Sequence, residues 1–184
     1  MADTFLDLIN EHDEVIGQAL RSEIHAKGLL HREVHVWFVT PDKQIIFQIR
    51  KPSPPKFPLR LLDATAGGHV ELGHSYLETA LKEVFEETGI EVKEEGLFLY
   101  KKIRATELFP ENSKTNAVFR ATYIYKFAGN VEGLTPEAGT GKGFIAISAE
   151  DFLNKAEWIE KELNIIPFLH EEEMTTFFNE VANG

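Results

Sequence analysis

Residues 67–90 read GGHVELGHSYLETALKEVFEETGI, and both ends of a helix are legible in them. Ser75 stands where an N-cap belongs, and Glu78, three residues on, completes a capping box. Gly89 can take the left-handed conformation that ends a helix. Between them Leu77, Ala80, Leu81, Val84 and Thr88 recur at helical spacing and form one stripe that packs on a core. Glu83, Glu86 and Glu87 fall on a different face, about a third of a turn round. Like charges at i, i+3 and i+4 repel by roughly a few tenths of a kcal/mol per pair. A solvated acidic face is the bland account of them. Their fixed distances from Gly67-Gly68 and from Gly89 favour a hard cation instead, because carboxylate oxygens are what magnesium takes. Such an ion can hold a diphosphate and polarise it toward attack by water.

The whole chain bounds what surrounds this helix. Its 184 residues are 43% hydrophobic and 27% charged, which predicts one globular domain over 1–184 with a real core. The net charge of −11, with no basic run, argues against binding nucleic acid. An acidic protein that handles phosphates needs local cations, either a metal or a few placed Lys and Arg. There is no cysteine, hence no disulfide and no thiol chemistry. The N-terminus is acidic without a signal-peptide core, and no apolar run reaches membrane length. The expectation is a cytoplasmic protein, off the membrane, and a homodimer is compatible with it.

Outward from the helix, strands come first. Residues 4–20 predict a hairpin, Phe5–Ile9 and Val15–Ala19 around the polar turn Asn10–Glu14, and Arg21–Lys27 a short helix ended by Gly28. Val34–Val39 and Ile45–Arg50 read as a strand pair around Pro41-Asp42-Lys43. Residues 51–58 form a Pro-rich loop, and Leu61–Ala66 a strand delivering the chain to Gly67. Beyond the helix, Glu94–Gly96 reads as a turn, Leu97–Thr106 and Ala117–Phe127 as strands, and Leu108–Thr115 as a loop. Gly129–Gly143 is a Gly-rich excursion, Phe144–Ile147 a last strand, and Ala149 to about Leu163 and Pro167 to about Ala182 read as C-terminal helices, about 149–182 in all. The N-terminal extension spans about 1–30. Strands on both sides of a central helix, with helices at the end, give an α/β fold with a mixed sheet between helices.

The stretch resembles the Nudix box, Gly-x5-Glu-x7-Arg-Glu-U-x-Glu-Glu-x-Gly-U with U aliphatic. Gly68 matches the first Gly, and Glu83, Val84, Glu86, Glu87, Gly89 and Ile90 match the second half without gaps. His74 stands where the family has Glu, and Lys82 where it has Arg. The resemblance implies an α/β/α sandwich and a Mg²⁺-dependent hydrolase, with Mn²⁺ as an alternative ion, that cleaves a diphosphate linkage in a small molecule. It implies Glu83, Glu86 and Glu87 as catalytic and metal-holding residues, joined by the backbone carbonyl of Gly68. The general base stays open between Glu83, Glu132 and Glu137. Arg50, Lys56 and Arg60 frame the loop before the box, where such residues reach substrate phosphates in this family, and His69 follows the glycines as a further candidate.

Glu14-Val-Ile-Gly-Gln, His25, Leu30-His31, Arg50, Phe57-Pro58 and Leu62–His69 are similar to the isopentenyl-diphosphate isomerase branch of that superfamily and its hydrolase relatives. Those isomerases use a cysteine immediately before the Gly-His, where this chain has Gly67. They hold a metal with three histidines, matched by His25, His31 and His69, and two carboxylates whose positions fall near Thr115 and Ala117. The hydrolase reading therefore ranks above the isomerase. A ligand-binding or sensor domain that kept the fold without turnover is the other alternative, and His74 favours it. A neutral His74 near the ion would weaken metal affinity and suit softer ions better than magnesium.

Overall fold

The computed structural model describes residues 3–50, 60–109, 114–139, 141–154, 163–165 and 172–183. The chain opens with β1 (Phe5–Ile9) and β2 (Val15–Leu20), an antiparallel hairpin. The Asn10 side chain closes its turn by accepting from the backbone of His12 and Glu14. Helix α1 (Arg21–Lys27) ends on Gly28 in the left-handed region. Then follow β3 (Leu30–Val39), β4 (Gln44–Arg50), β5 (Arg60–Asp63), β6 (Ala66–His69) and α2 (Tyr76–Thr88). A single 3-10 turn at Glu94–Gly96 leads to β7 (Leu97–Phe109) and β8 (Lys114–Lys126). A second 3-10 turn, Val131–Gly133, precedes β9 (Gly141–Ser148), α3 (Ala149–Leu153), β10 (Leu163–Ile165) and α4 (Glu172–Asn183).

The main sheet is mixed and runs β10-β5-β4-β3-β8-β7, with β6 paired to β3 and β9 to β4. The β3–β8 and β10–β5 pairs are parallel and the others antiparallel. Successive residues of a strand face opposite sides, so β3 and β4 each feed two cores. Trp37, Ile45, Phe47 and Ile49 pack with Phe152, Phe177 and Phe178 of α3 and α4. Val34, Val36, Phe38 and Ile46 pack with Ala80 and Val84 of α2. Helices thus cover two faces, as the sequence predicts for an α/β fold with a mixed sheet.

Two expectations need correction. Leu61–Ala66 is not one strand. Asp63 pairs with Gln48 of β4, whereas Ala66 pairs with Val36 of β3, so the chain crosses between them at Ala64-Thr65. Buried Thr65 makes the crossing: its hydroxyl accepts from Phe38 N and donates to Ile46 O. β3 and β4 part here, keeping only the Phe38–Ile46 and Val39–Ile45 pairs, and the sheet splits beside Gly67-Gly68. The second correction concerns Leu108–Thr115. β7 and β8 continue into both of its ends, pairing Leu108 with Thr115 and Phe109 with Lys114.

Helix α2 forms as its ends dictate. The Ser75 hydroxyl accepts from Glu78 N, Ser75 N donates to the Glu78 carboxylate at 2.8 Å, and Gly89 is left-handed at φ 73°. Ser75→Ala removes half of this box. The expected cost is about 1 kcal/mol, a fall in melting temperature of about 2–4 °C, read by thermal melts.

Candidate active site

A polar cleft of about 110 Å³ opens at the split in the sheet. One wall comes from β4 and β5, with Gln48, Arg50 and Asp63; the other from β3 and β6, with Glu33, His35, Gly67, Gly68 and His69. Arg21 and Glu87 also line it. Of the residues singled out in the sequence, Arg50, Gly68, His69 and Glu87 meet here, with Glu83 against Gly68. Lys56 lies outside the described residues, and Arg60 opens β5.

The two glycines are required by close approach. A Cβ on Gly68 would stand 2.6 Å from the Glu83 carboxyl carbon, and one on Gly67 2.8 Å from the Val34 carbonyl oxygen. Without side chains, β6 lets the carboxylates of α2 reach its backbone. Gly67 N donates to Glu87 at 2.9 Å. Both carboxyls are perturbed. Burial, with the negative charges of Glu86, Glu71 and Glu137 nearby, pushes Glu83 up to about 7 against the pull of Lys82. Burial also pushes Glu87 up to about 8, aided by Glu83 and Asp63, against Gly67 N–H and Arg50. Two half-buried carboxylates close together beside the glycine backbone fit a hard divalent ion.

Glu86 is placed differently. It is exposed and lies 3.6 Å from Lys82. Lys82 makes its shorter pair, 2.6 Å, with Glu71, which sequence spacing does not suggest because Glu71 precedes the helix. Glu78, one turn before Lys82, is engaged in the capping box. His74 is exposed and, like Glu86, is not among the residues that line the cleft. Glu137 is close enough to raise Glu83, while Glu132 lines a separate groove with Asn130 and Phe144.

A buried network missed in the sequence borders the cleft. Glu33 accepts from Arg120 Nε at 2.6 Å and Asn116 Nδ2 at 2.9 Å, and lies 3.2 Å from His35 Nε2. Arg120 also bonds Glu107. Burial would raise the Glu33 carboxyl, but Arg120, with His35 and His69, holds it well below the usual range. Arg50 is paired with Asp63 at 2.5 Å, which raises it. The available signal was period two: His31, Glu33 and His35 share one face of β3, and Arg120 stands opposite Glu33 on β8.

Three histidines converge beside this network. His25, His31 and His69 each offer a nitrogen within 4.8 Å of the others, and the rings of His31 and His69 stack at 5.0 Å. His31 is fully buried. Its Nδ1 lies 3.0 Å from Leu29 O, and its buried Nε2 has no partner. Burial lowers His31 and takes His69 down to about 3, so both are neutral at neutral pH and can ligate through a lone pair.

The NUDIX domain profile matches residues 29–172. The chain belongs to the NUDIX domain family. It is 30% identical over 154 residues to an uncharacterized Nudix hydrolase of Clostridium acetobutylicum, covering 82% of this chain and 73% of that protein. It is 39% identical over 100 residues to an uncharacterized Nudix hydrolase of Streptomyces coelicolor, where the match spans 54% of this chain and 55% of the relative. A crystal structure from Deinococcus radiodurans superimposes with a TM-score of 0.65 at 20% identity, over 96% of this NUDIX chain and 98% of that one. That likeness shows the mixed α/β fold of the NUDIX domain. No helix among the described residues is long and apolar enough to cross a membrane.

Proposed function

We propose that this NUDIX domain is a metal-dependent hydrolase that cleaves a diphosphate linkage in a small molecule. The carrying observation is the pair Glu83 and Glu87, half-buried against the glycine strand and both raised toward neutrality. With Glu86 and the Gly68 carbonyl they would hold Mg²⁺ or Mn²⁺. When bound, that ion neutralises phosphate charge and makes a nucleophile of water.

The protein's own groups do the rest. Arg50, pinned by Asp63, presents its half-exposed guanidinium to the cleft mouth, where a phosphate would sit. Arg21 adds a second cation to the cleft wall. Gly67 N–H orients the Glu87 carboxylate. Glu83, poised near 7, suits taking a proton from the attacking water. No Phe, Tyr or Trp among the described residues lines the cleft, which favours recognition through the diphosphate. The test is a screen of diphosphate compounds with Mg²⁺ and with Mn²⁺, reading phosphate release; no turnover with any of them leaves a binding or sensor domain.

The three histidines favour a second metal position, suited by imidazole donors to a borderline ion such as Zn²⁺ or Mn²⁺. They do not restore the isomerase. Gly67 replaces its acid, and Thr115 and Ala117 offer no carboxylate. Incubation with isopentenyl diphosphate is expected to give no dimethylallyl diphosphate by mass spectrometry, and detection of that product would contradict the assignment.

A further inference from the structure

Gln48 sits in the wall of the cleft with a donor that nothing satisfies. It is 2% exposed, and its Nε2 has no hydrogen-bond partner. An unpaired buried amide is costly, and native structures avoid it unless it serves a purpose. Other polar groups around it are engaged. Thr65 bridges Phe38 and Ile46, Asp63 accepts from Arg50 and from Ala64 N, and Glu87 accepts from Gly67 N.

The strand next to this amide is irregular. β4 alternates, so Ile45, Phe47 and Ile49 enter the core under α3 and α4 while Ile46, Gln48 and Arg50 face the other way. Gln48 pairs with Phe144 but Arg50 pairs with Gly141, so β9 carries one extra residue at this point. Bulges re-aim side chains, and this one includes Gly143 at φ 122°. Gly141 packs close by: a Cβ there would stand 2.8 Å from Pro136 Cβ and 3.9 Å from Gln48 Nε2.

We infer that Gln48 is a specificity-determining residue that donates its amide hydrogen to a phosphate oxygen of the substrate, beside Arg50. This rests on the diphosphate reading of the cleft. An amide nitrogen can only donate, and a phosphate oxygen can only accept. Arg50 is already neutralised by Asp63, so a neutral donor adds recognition without a further charge to desolvate.

The probe is imidodiphosphate with Mg²⁺, titrated calorimetrically into wild type, Gln48→Met and Gln48→Glu, with thermal melts alongside. Gln48→Met keeps length and shape and removes the donor. It should weaken binding about tenfold, equivalent to about 1.4 kcal/mol, with an equal or higher melting temperature because an unpaired polar group has gone. Gln48→Glu, which presents a carboxylate to the phosphate, should weaken binding further. In the wild type, the side-chain amide proton signals absent from Gln48→Met should shift when the probe is added. Equal affinity in a folded Gln48→Met, or amide signals that do not move, overturns the inference and leaves the amide as a buried group met by water. Should Gln48→Met fail to fold, the amide signals and Gln48→Glu decide between the same outcomes. If the wild type hydrolyses diphosphates while Gln48→Met binds as it does, this inference alone fails. If neither binds the probe and the wild type turns nothing over, the diphosphate reading falls with it.

Discussion

Glu87→Gln lowers metal-dependent hydrolysis by on the order of a thousandfold and leaves the melting temperature at pH 8 level or raised. Both halves follow from where the carboxyl sits. It is half-buried near Glu83, accepts from Gly67 N at 2.9 Å, and is pushed up to about 8 by desolvation and by the charges of Glu83 and Asp63. Glutamine keeps an oxygen for Gly67 N–H and removes a charge that burial disfavours. It cannot neutralise a cation, so the function goes while the fold stays. Kinetics at saturating Mn²⁺ with parallel melts check this. A drop of several degrees with activity retained would make the carboxylate cluster structural.

A divalent ion stabilises the protein at pH 8 and hardly at pH 5. Glu83 and Glu87 are raised from the usual 4.5 to about 7 and about 8. Between the unfolded and folded values the folded chain holds more protons than the unfolded one, so stability falls as pH rises. Their contribution is fully present below about 4.5 and is lost as pH climbs through about 7 to 8. At pH 8 an added ion relieves the repulsion between the ionised pair. At a hundred times its dissociation constant, an ion bound only by the folded state adds about 2.7 kcal/mol, a rise of about 5–10 °C. At pH 5 both carboxyls are protonated and the rise should vanish. Melts with and without Mg²⁺ at the two pH values read it. The histidine cluster behaves oppositely, because His69, held down to about 3 by burial, remains neutral at pH 5. An equal rise at both pH values would place the ion there.

Sequence made some of this legible and not the rest, for physical reasons. Helix α2 is local: Ser75, Glu78 and Gly89 encode its ends within the segment, and the structure has those caps. The placement of its glutamates is not local. Glu83 and Glu87 turn toward β6 and Glu86 toward Lys82, because β6 covers just part of the acidic face. Leu61–Ala66 reads as one apolar run, since what breaks it is Thr65 bonding across to Phe38 and Ile46. Glu33 and Arg120 are 87 residues apart and meet because β3 and β8 are parallel neighbours. Gln48 gives no signal in the chain. Its unsatisfied amide exists once β9 bulges away beside it.

The central claim is that carboxylates on α2 and the glycine strand support hydrolysis of a diphosphate linkage. The most direct measurement follows oxygen from solvent into product. Diphosphate compounds are incubated in ¹⁸O-labelled water with Mg²⁺ or Mn²⁺, and the products are weighed by mass spectrometry. One ¹⁸O should enter a single phosphate product per cleavage with wild type, and none with Glu87→Gln or in the presence of a chelator. Cleavage that is equally fast in Glu87→Gln, or that persists without divalent ions, would contradict the account.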